Sequence, residues 1–548
     1  VTAPSQHEPA AGSLWQQHGL AVGLAAAALL LRLWQLGAQP LWFDEALTAH
    51  IAHAPDGLDF VHNTPPLYHW LTRLWCSWFG IGAVGLRSLS AVTGAAFVWL
   101  TFHTARSVFG RRAAIAAALL VLLSPLHLYY SQEARAYSLL LCELMLVLWM
   151  LWRLVARVDV RSWLLLVLAS TAALYTHYLS AIPLALAVVV IGLSAPATSR
   201  WPTVRWVAAA GCTAVLLLVP WLVWWSRHTP FATSDMRWLE LLWAQLSGPG
   251  AMATTLELFL LGGQVERTPI FLKQFSSLSF PAPLRLAAIT AMWVVVGLGF
   301  WRAWRGAPLR RAMLQCSVLC LGPLLGLWLL SLVRPVYGPG RYDLIAYPGF
   351  VLLSGAVIAA ATRAPGQWPR WLASIAVSVL TVAIVAKDAC YFTAAADPDP
   401  GRVVARTLTL QVHNGETVIL CGSVGLPVLV HLYEQGFVWA DGRCRSERSR
   451  AEFGCRLLPP ALEVAPAAAS RYLQAIEDGS LVTDLAQLLR DRPASGIWLV
   501  LGPELRGGGL APAMVELGRS LFGALHAAGY ELVGGEPEIG IAHATRRP

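Results

Sequence analysis

The chain has 548 residues, 56% of them hydrophobic and only 13% charged, where an average soluble domain carries about 25% charged residues. With a mean hydropathy of +0.56, the composition excludes an ordinary soluble globule and an intrinsically disordered chain. The net charge of +9 is no sign of a nucleic-acid partner, because the basic residues sit between hydrophobic runs.

The 25 Trp and 13 Tyr suit broad membrane–water interfaces, where amphipathic rings collect. The nine Cys form no CxxC or Cys/His cluster, and most lie in apolar runs, where a free Cys acts as a small hydrophobe. No Lys or Arg precedes Arg32, so a cleaved signal peptide is not expected.

A membrane-spanning helix needs about 20 apolar residues. Windows of that kind predict about eleven spans, near 17–36, 84–105, 113–130, 137–156, 163–179, 181–195, 206–225, 286–304, 313–333, 345–361 and 371–391. The 163–195 region divides at "YTHYLSAIP". The charges support that division. With the N-terminus cytoplasmic, the loops on its side hold Arg106, Arg111 and Arg112, then Arg153, Arg157 and Arg161, then Arg200 and Arg205. Arg302, Arg305, Arg310, Arg311, Arg363 and Arg370 follow, with Asp159 the one acid among them. This is a positive-inside pattern, and it fails if 163–195 is a single span. The other acids, including Asp44, Glu45, Asp56, Asp59, Glu133 and Asp343, are then expected at or near the outer face.

Four polar groups recur at the outer ends of the spans. In "LWFDEALTAHIAHAPDGLDFVHNTPPLYHWL" the adjacent acids Asp44 and Glu45 precede His62 and the pair Pro65–Pro66. Neighbours on a helix project about 100° apart, so one acid can face a cleft while the other braces it or holds a metal. In "YYSQEARAYSLL", Glu133 and Tyr137 share a face if the helix has begun by there, and Arg135 points elsewhere. "YTHYLS" places His177 and Tyr178 at a span end. "RPVYGPGRYDLIAYPG" presents Arg341, Tyr342 and Asp343 from a Gly-Pro-Gly turn.

Arginine suits phosphate because its planar fork makes bidentate charged hydrogen bonds. Carboxylates suit a hydroxyl nucleophile, which loses its proton as it attacks. Acids, Arg, His and Tyr on one outer face therefore point to group transfer from a phosphorylated lipid to a hydroxyl. A transporter or flippase of lipid-linked glycans is the alternative, and would want charges at mid-membrane and an internal repeat. A third class is a non-enzymatic envelope-assembly protein.

From about residue 397 the chain turns mixed and polar, starting with the linker "ADPDPG". "ETVILCG" and "GIWLVLG" read as short buried strands and "YELVGGEPEIGIAHATR" as a hairpin. "SRYLQAIEDGSLVTDLAQLLRD" and "APAMVELGRSLFGALHAAG" have helical spacing. A soluble α/β domain over 397–548 is expected, following a membrane domain over 1–396. It carries no GxGxxG, P-loop or catalytic cluster, so a structural or acceptor-guiding role is expected. Cys444 and Cys455 could pair in an oxidising periplasm, although spacing alone does not fix connectivity.

The stretch "LWFDEALTAHIA…NTPPLYHWLTRLWCSWFG…GLRSLS" resembles the first outer loop and second span of the GT-C membrane glycosyltransferases. The branch is the polyprenyl-phosphate-sugar-dependent one, which includes protein O-mannosyltransferases and lipid A aminoarabinose transferases. "YSQEARAYSLL", "YTHY" and "GRYDLIAYPG" resemble later landmarks of its bacterial members, so the likeness covers roughly residues 17–390.

The resemblance implies a multi-span helical bundle of GT-C fold in a bacterial inner membrane, with a periplasmic active site and a periplasmic C-terminal domain. It implies a polyprenyl-phosphate sugar donor, a hydroxyl-bearing envelope acceptor and inversion at the anomeric carbon. Asp44 would be the catalytic base, with Glu45 supporting it or ordering a divalent metal ion. Arg135, His177, Arg341 and Tyr342 would grip the donor phosphate, with His62, Glu133, Tyr137 and Tyr178 lining the substrate cleft. Thr64 departs from the pattern, since aminoarabinose transferases carry a Lys there, and the accessory domain of the protein O-mannosyltransferases is missing.

Overall fold

The computed structural model describes residues 14–53, 64–192, 200–228, 250–262, 264–267, 273–276, 281–393, 399–422, 424–446, 451–458, 478–491, 493–502, 512–536 and 540–547, together with 239–240, 243–244 and 475. The apolar runs fold as helices. They begin with α1 (Leu14–Leu33), and two short helices follow, α2 (Phe43–His53) and α3 (Leu67–Phe79). Then come α4 (Ala83–Phe109), α5 (Arg111–Leu123), α6 (Pro125–Ser131), α7 (Tyr137–Ala156), α8 (Val160–Thr176), α9 (Ala181–Gly192) and α10 (Arg200–His228). Beyond them lie α11 (Gly250–Leu261), the antiparallel ribbon β1 (Gln264–Arg267) and β2 (Lys273–Ser276), then α12 (Ala282–Trp304), α13 (Ala307–Ser331), α14 (Tyr347–Ala361) and α15 (Gln367–Thr393).

Every expected span falls on a helix, but the helices are unequal. Among the described residues, seven are long and apolar enough to cross a bilayer, and the α5–α6 pair, bent by 61°, makes an eighth. Pro125 causes the bend: it lacks the N–H that would continue α5, and Ser124 caps the new helix by accepting from the His127 N–H. The runs of α1, α8 and α9 are shorter. Helix α11 is an apolar element between the expected spans 206–225 and 286–304.

Helix α14 is the centre of the bundle, and the span over Tyr342–Ala361 is 78% buried, against 22% for that of α12. It packs where side chains are absent. A Cβ on Gly349 would strike the backbone of Leu319 and Cys320, and one on Gly355 would strike Ala113 and Ala117. Small residues let helix backbones approach this closely in a membrane.

The C-terminal part is an α/β unit. Its helices are α16 (Pro400–Gln411), α17 (Gly425–Glu434), α18 (Ser480–Asp491) and α19 (Pro512–Ala527). Its strands β3 (Thr417–Cys421), β4 (Val438–Ala440), β5 (Arg443–Ser446), β6 (Ala451–Leu458), β7 (Gly496–Leu501), β8 (Tyr530–Glu536) and β9 (Ile541–Arg546) form one sheet, ordered β4-β5-β6-β3-β7-β9-β8. The central β6, β3 and β7 are parallel, and β7 is buried throughout, as strands covered on both faces must be. The expected β8–β9 hairpin forms, whereas β4, β5 and β6 are additional to the sequence reading. Cys444 and Cys455 are buried free thiols on adjacent strands: Cys444 registers opposite Phe453, so Cys455 lies on the diagonal.

This unit shares a core with the first helices of the chain. Phe43, Ala46, Leu47, Ile51, Cys76 and Leu86 pack into the same buried cluster as Leu408, Leu426 and Val430. At the seam, His50 Nδ1 and Tyr433 OH are 2.8 Å apart, and the His53 ring lies 4.5 Å from that of Tyr433. The α/β unit is therefore seated on α2, the helix that carries Asp44 and Glu45.

Candidate active site

The two adjacent acids of α2 have opposite fates. Glu45 is fully buried and takes a bidentate ion pair from Arg87 on α4, at 2.7 Å from Nε and 2.6 Å from Nη2. Arg87 also donates to the carbonyls of Leu36, Gln39 and Pro40, tying the turn before α2 to α4. Glu45 Oε1 accepts in addition from the Ala134 N–H at 2.9 Å. One carboxylate thus joins three segments, which is the bracing role open to Glu45 from the sequence.

Asp44 projects the other way, to a partly exposed rim. Its Oδ2 is 2.6 Å from Arg341 Nη2 and 3.6 Å from Arg135 Nη2. Side-chain exposures of 19%, 13% and 21% for Asp44, Arg341 and Arg135 leave this trio open to a ligand. Arg341 Nε donates to Tyr137 OH at 3.2 Å, and its guanidinium lies 5.5 Å from the Trp42 ring. The His177 ring is 5.6 Å from Tyr342 and 6.4 Å from Tyr137. His177 sits at the break between α8 and α9. With one carboxylate and two guanidinium groups, the trio carries one surplus positive charge.

Arg341 is set by a built turn. Gly340 has φ +74°, a left-handed conformation that glycine adopts without cost. Its N–H donates to Asp343 Oδ2 at 3.0 Å, and its carbonyl accepts from Tyr130 OH. Thr255 of α11 donates to the same Asp343 oxygen and is 2.7 Å from Tyr337 OH. Asp343, which the sequence presents in the same turn as Arg341, and Thr255, which it does not single out, are therefore the supports of Arg341. Thr255 gave no signal in the sequence, being one of two adjacent threonines in a largely apolar run.

Other candidates are placed differently from expectation. Helix α7 begins at Tyr137, so 132–136 is a turn and the shared helical face of Glu133 and Tyr137 does not exist. Arg135 and Tyr137 meet Asp44 and Arg341 instead. Glu133 is 3% exposed, takes a hydrogen bond from Tyr129 OH at 3.2 Å and does not line the rim. Tyr178 turns to α10, where its OH accepts from Trp221 Nε1 at 2.9 Å. His62 lies outside the described residues. The acids are also less confined to one face than expected: Glu143 is buried six residues into α7, bonded by Thr176 Oγ1 at 3.0 Å.

A divalent ion at Asp44 and Glu45 does not fit this arrangement, because Arg87 takes both Glu45 oxygens and Asp44 faces two cations. Among the described residues no group of three or more His, Cys, Asp or Glu side chains is arranged as a metal site.

Residues 63–224 match the family model described as dolichyl-phosphate-mannose-protein mannosyltransferase. No curated protein sequence matches the chain. Among solved structures, ArnT from Cupriavidus metallidurans bound to undecaprenyl phosphate is similar at a TM-score of 0.58 and 14% identity, over 97% of this chain and 99% of that one. The same protein in its apo state gives 0.57 and 13%, over 97% and 100%. With a likeness that runs the length of both chains, this is a multi-pass membrane protein of GT-C fold with a C-terminal α/β unit.

Proposed function

We propose that the protein is a glycosyltransferase that moves a monosaccharide from a polyprenyl phosphate to a hydroxyl of a cell-envelope acceptor, with inversion at the anomeric carbon. The observation that carries this reading is the meeting of Asp44 with Arg341 and Arg135 at a partly exposed rim. The fold alone would not suffice, since one fold hosts many activities.

The charges of that trio match the reaction. A sugar polyprenyl phosphate is a phosphodiester of charge −1, which suits a site of +1. As the acceptor oxygen bonds to the anomeric carbon, its proton passes to Asp44 and the bond from that carbon to the phosphate oxygen breaks. The phosphate leaves with a charge near −2, while the neutralised Asp44 raises the site to +2. Preorganised cations aimed at developing charge are a strong source of catalysis. The donor phosphate also competes for Arg341, which frees the Asp44 oxygen to act as a base. Tyr342 and His177 add hydrogen-bonding groups beside the phosphate. No step is routed through a divalent ion.

The arginine-rich loops favour placing their face in the cytoplasm, which puts Asp44 on the periplasmic side of a bacterial inner membrane. The C-terminal unit is then a periplasmic domain, beginning near residue 397, that steadies α2. The test is transfer of labelled sugar from a purified polyprenyl-phosphate donor to an envelope extract by the full chain in liposomes. Label should reach the acceptor in an Asp44-dependent way. Failure of the wild-type protein to bind any polyprenyl phosphate would sink the proposal.

A further inference from the structure

Over its described residues helix α9 runs for 12 residues, about 18 Å at 1.5 Å per residue. Its neighbour α13 has 25 residues, about 37 Å. The two pack side by side, Ile182 against Gly326 and Leu186 against Gly322, so α9 lies against the half of α13 nearer the Arg341 turn. The described part of α9 ends at Gly192. Beside its last turn lies a crevice of about 400 Å³, lined by Val190 of α9 and by Arg310, Arg311, Leu314, Gln315 and Val318 of α13.

The crevice has a polar mouth and an apolar wall. Arg310 and Arg311 stand at the end nearest the water, and neither has a carboxylate partner among the described residues. Arg310 is held 5.4 Å from the Trp304 ring, and Gln315 Nε2 donates to Val190 O at 3.3 Å, closing the inner side. Leu314 and Val318 continue one and two turns deeper, 46% and 41% exposed. Two uncompensated cations above an apolar track form the shape and charge complement of a lipid with an anionic head. Basic pockets between helices on the cytoplasmic side bind such headgroups.

We propose that this crevice is a binding site for an anionic phospholipid of the leaflet lying against the arginine-rich loops. The phosphate sits between Arg310 and Arg311, and an acyl chain lies along Leu314 and Val318. The lipid covers α13 beside Val190, about 30 Å along the helix from Ser331. It is therefore remote from the Asp44 site, and the proposal stands whether or not the protein transfers sugars.

The test is native mass spectrometry of the detergent-purified full chain with phosphatidylglycerol or phosphatidylcholine, for wild type and R310Q/R311Q. Each arginine near a lipid surface contributes about a factor of five, so the double variant should retain phosphatidylglycerol roughly thirty-fold less. Phosphatidylcholine should be retained weakly and equally by both. Phosphatidylglycerol should raise the thermal midpoint of the wild type and not that of the variant. Equal retention of phosphatidylglycerol by both proteins overturns the assignment. So does wild-type retention of phosphatidylcholine as strong as that of phosphatidylglycerol, which would mark an unselective acyl groove. Displacement of phosphatidylglycerol from the wild type by inorganic phosphate alone, or preferential retention of polyprenyl phosphate lost in R310Q/R311Q, would assign the crevice to a different occupant. If the double variant misfolds in phosphatidylcholine, L314W, which blocks the apolar track, should lower retention with both arginines in place; undiminished retention there also overturns it.

Discussion

Asp44 and Arg341 are 297 positions apart in the chain and 2.6 Å apart at Oδ2 and Nη2. Arg135, 91 positions from Asp44, completes the trio. The proposed chemistry rests on this convergence, and it separates the roles of residues that the sequence presents as equals.

Asp44→Asn keeps the side chain's volume and removes its charge and basicity. Turnover should fall by about 10²–10⁴, the range of a positioned general base. Affinity for polyprenyl phosphate should hold or tighten, because the site then has two cations and no anion. Parallel measurements of kcat and of the Kd for polyprenyl phosphate check this; a large loss of lipid affinity would assign Asp44 to binding instead.

Arg341→Ala and Arg135→Ala should act on the lipid. A hydrogen bond to a charged group is worth about 1.5–3 kcal/mol, so each change should weaken polyprenyl phosphate binding roughly 10- to 150-fold. Arg341→Lys should not restore it, since a point charge cannot replace a planar fork that engages Tyr137 with Nε and Asp44 with Nη2. Titration with polyprenyl phosphate is the readout.

Glu45→Ala or Arg87→Ala should damage folding rather than chemistry. Breaking a buried ion pair by removing one partner costs about 3–5 kcal/mol, and Glu45 also holds the Ala134 N–H. The expected outcome is a lower thermal midpoint and poor yield, against near-normal stability for Asp44→Asn. Equal stability of the two variants would reject the division of labour between the adjacent acids.

His431 of α17 gives a pH dependence. It is 2% exposed, 3.0 Å from Asp399 Oδ2 and 2.5 Å from Glu434 Oε2. Burial disfavours its charge, but the hydrogen bonds to these carboxylates win and raise its pKa to about 9 from 6.5. A raised pKa means stabilisation that is complete below 6.5 and is lost as pH climbs through 9. For Asp399 burial is likewise outweighed by His431, so its pKa lies below 3.8 and its contribution disappears only in acid. Thermal midpoints should therefore decline between pH 6.5 and 9, and His431→Gln should be less stable at pH 6 and flatter across that range.

Much of the architecture was legible in the sequence because it depends on local properties. Runs of about 20 apolar residues cannot stay in water, and the arginine-bearing loops divide them, so each expected span falls on a helix. The α/β unit was legible from "ETVILCG" and "GIWLVLG", whose unbroken apolar runs are those of strands covered on both faces. The three strands β4, β5 and β6 were not. Strand β4 is only three residues long, β5 and β6 mix polar with apolar residues, and their pairing is set by neighbours rather than by pattern.

The candidate site was legible as a set of polar residues at one end of the bundle, but not as an arrangement. The i, i+4 relation of Glu133 and Tyr137 presumed a helix, yet α7 starts only at Tyr137, so Glu133 is buried while Arg135 reaches the rim. Nothing in "YTHY" distinguishes His177, near Tyr342, from Tyr178, bonded to Trp221. The support of Arg341 by Thr255 joins α11 to a turn 88 positions away, and a hydroxyl in an apolar run announces no partner.

By itself the sequence determined which runs fold as apolar helices and that a mixed α/β unit follows them, because hydrophobicity and charge act residue by residue. Only the tertiary structure decided which of two adjacent carboxylates is sealed against Arg87 and which is left facing two cations. That choice follows from the packing of α2 against α4, the 132–136 turn and the α/β unit. An electrostatic interaction depends on distance in space, and segments hundreds of positions apart acquire one only when the whole bundle closes.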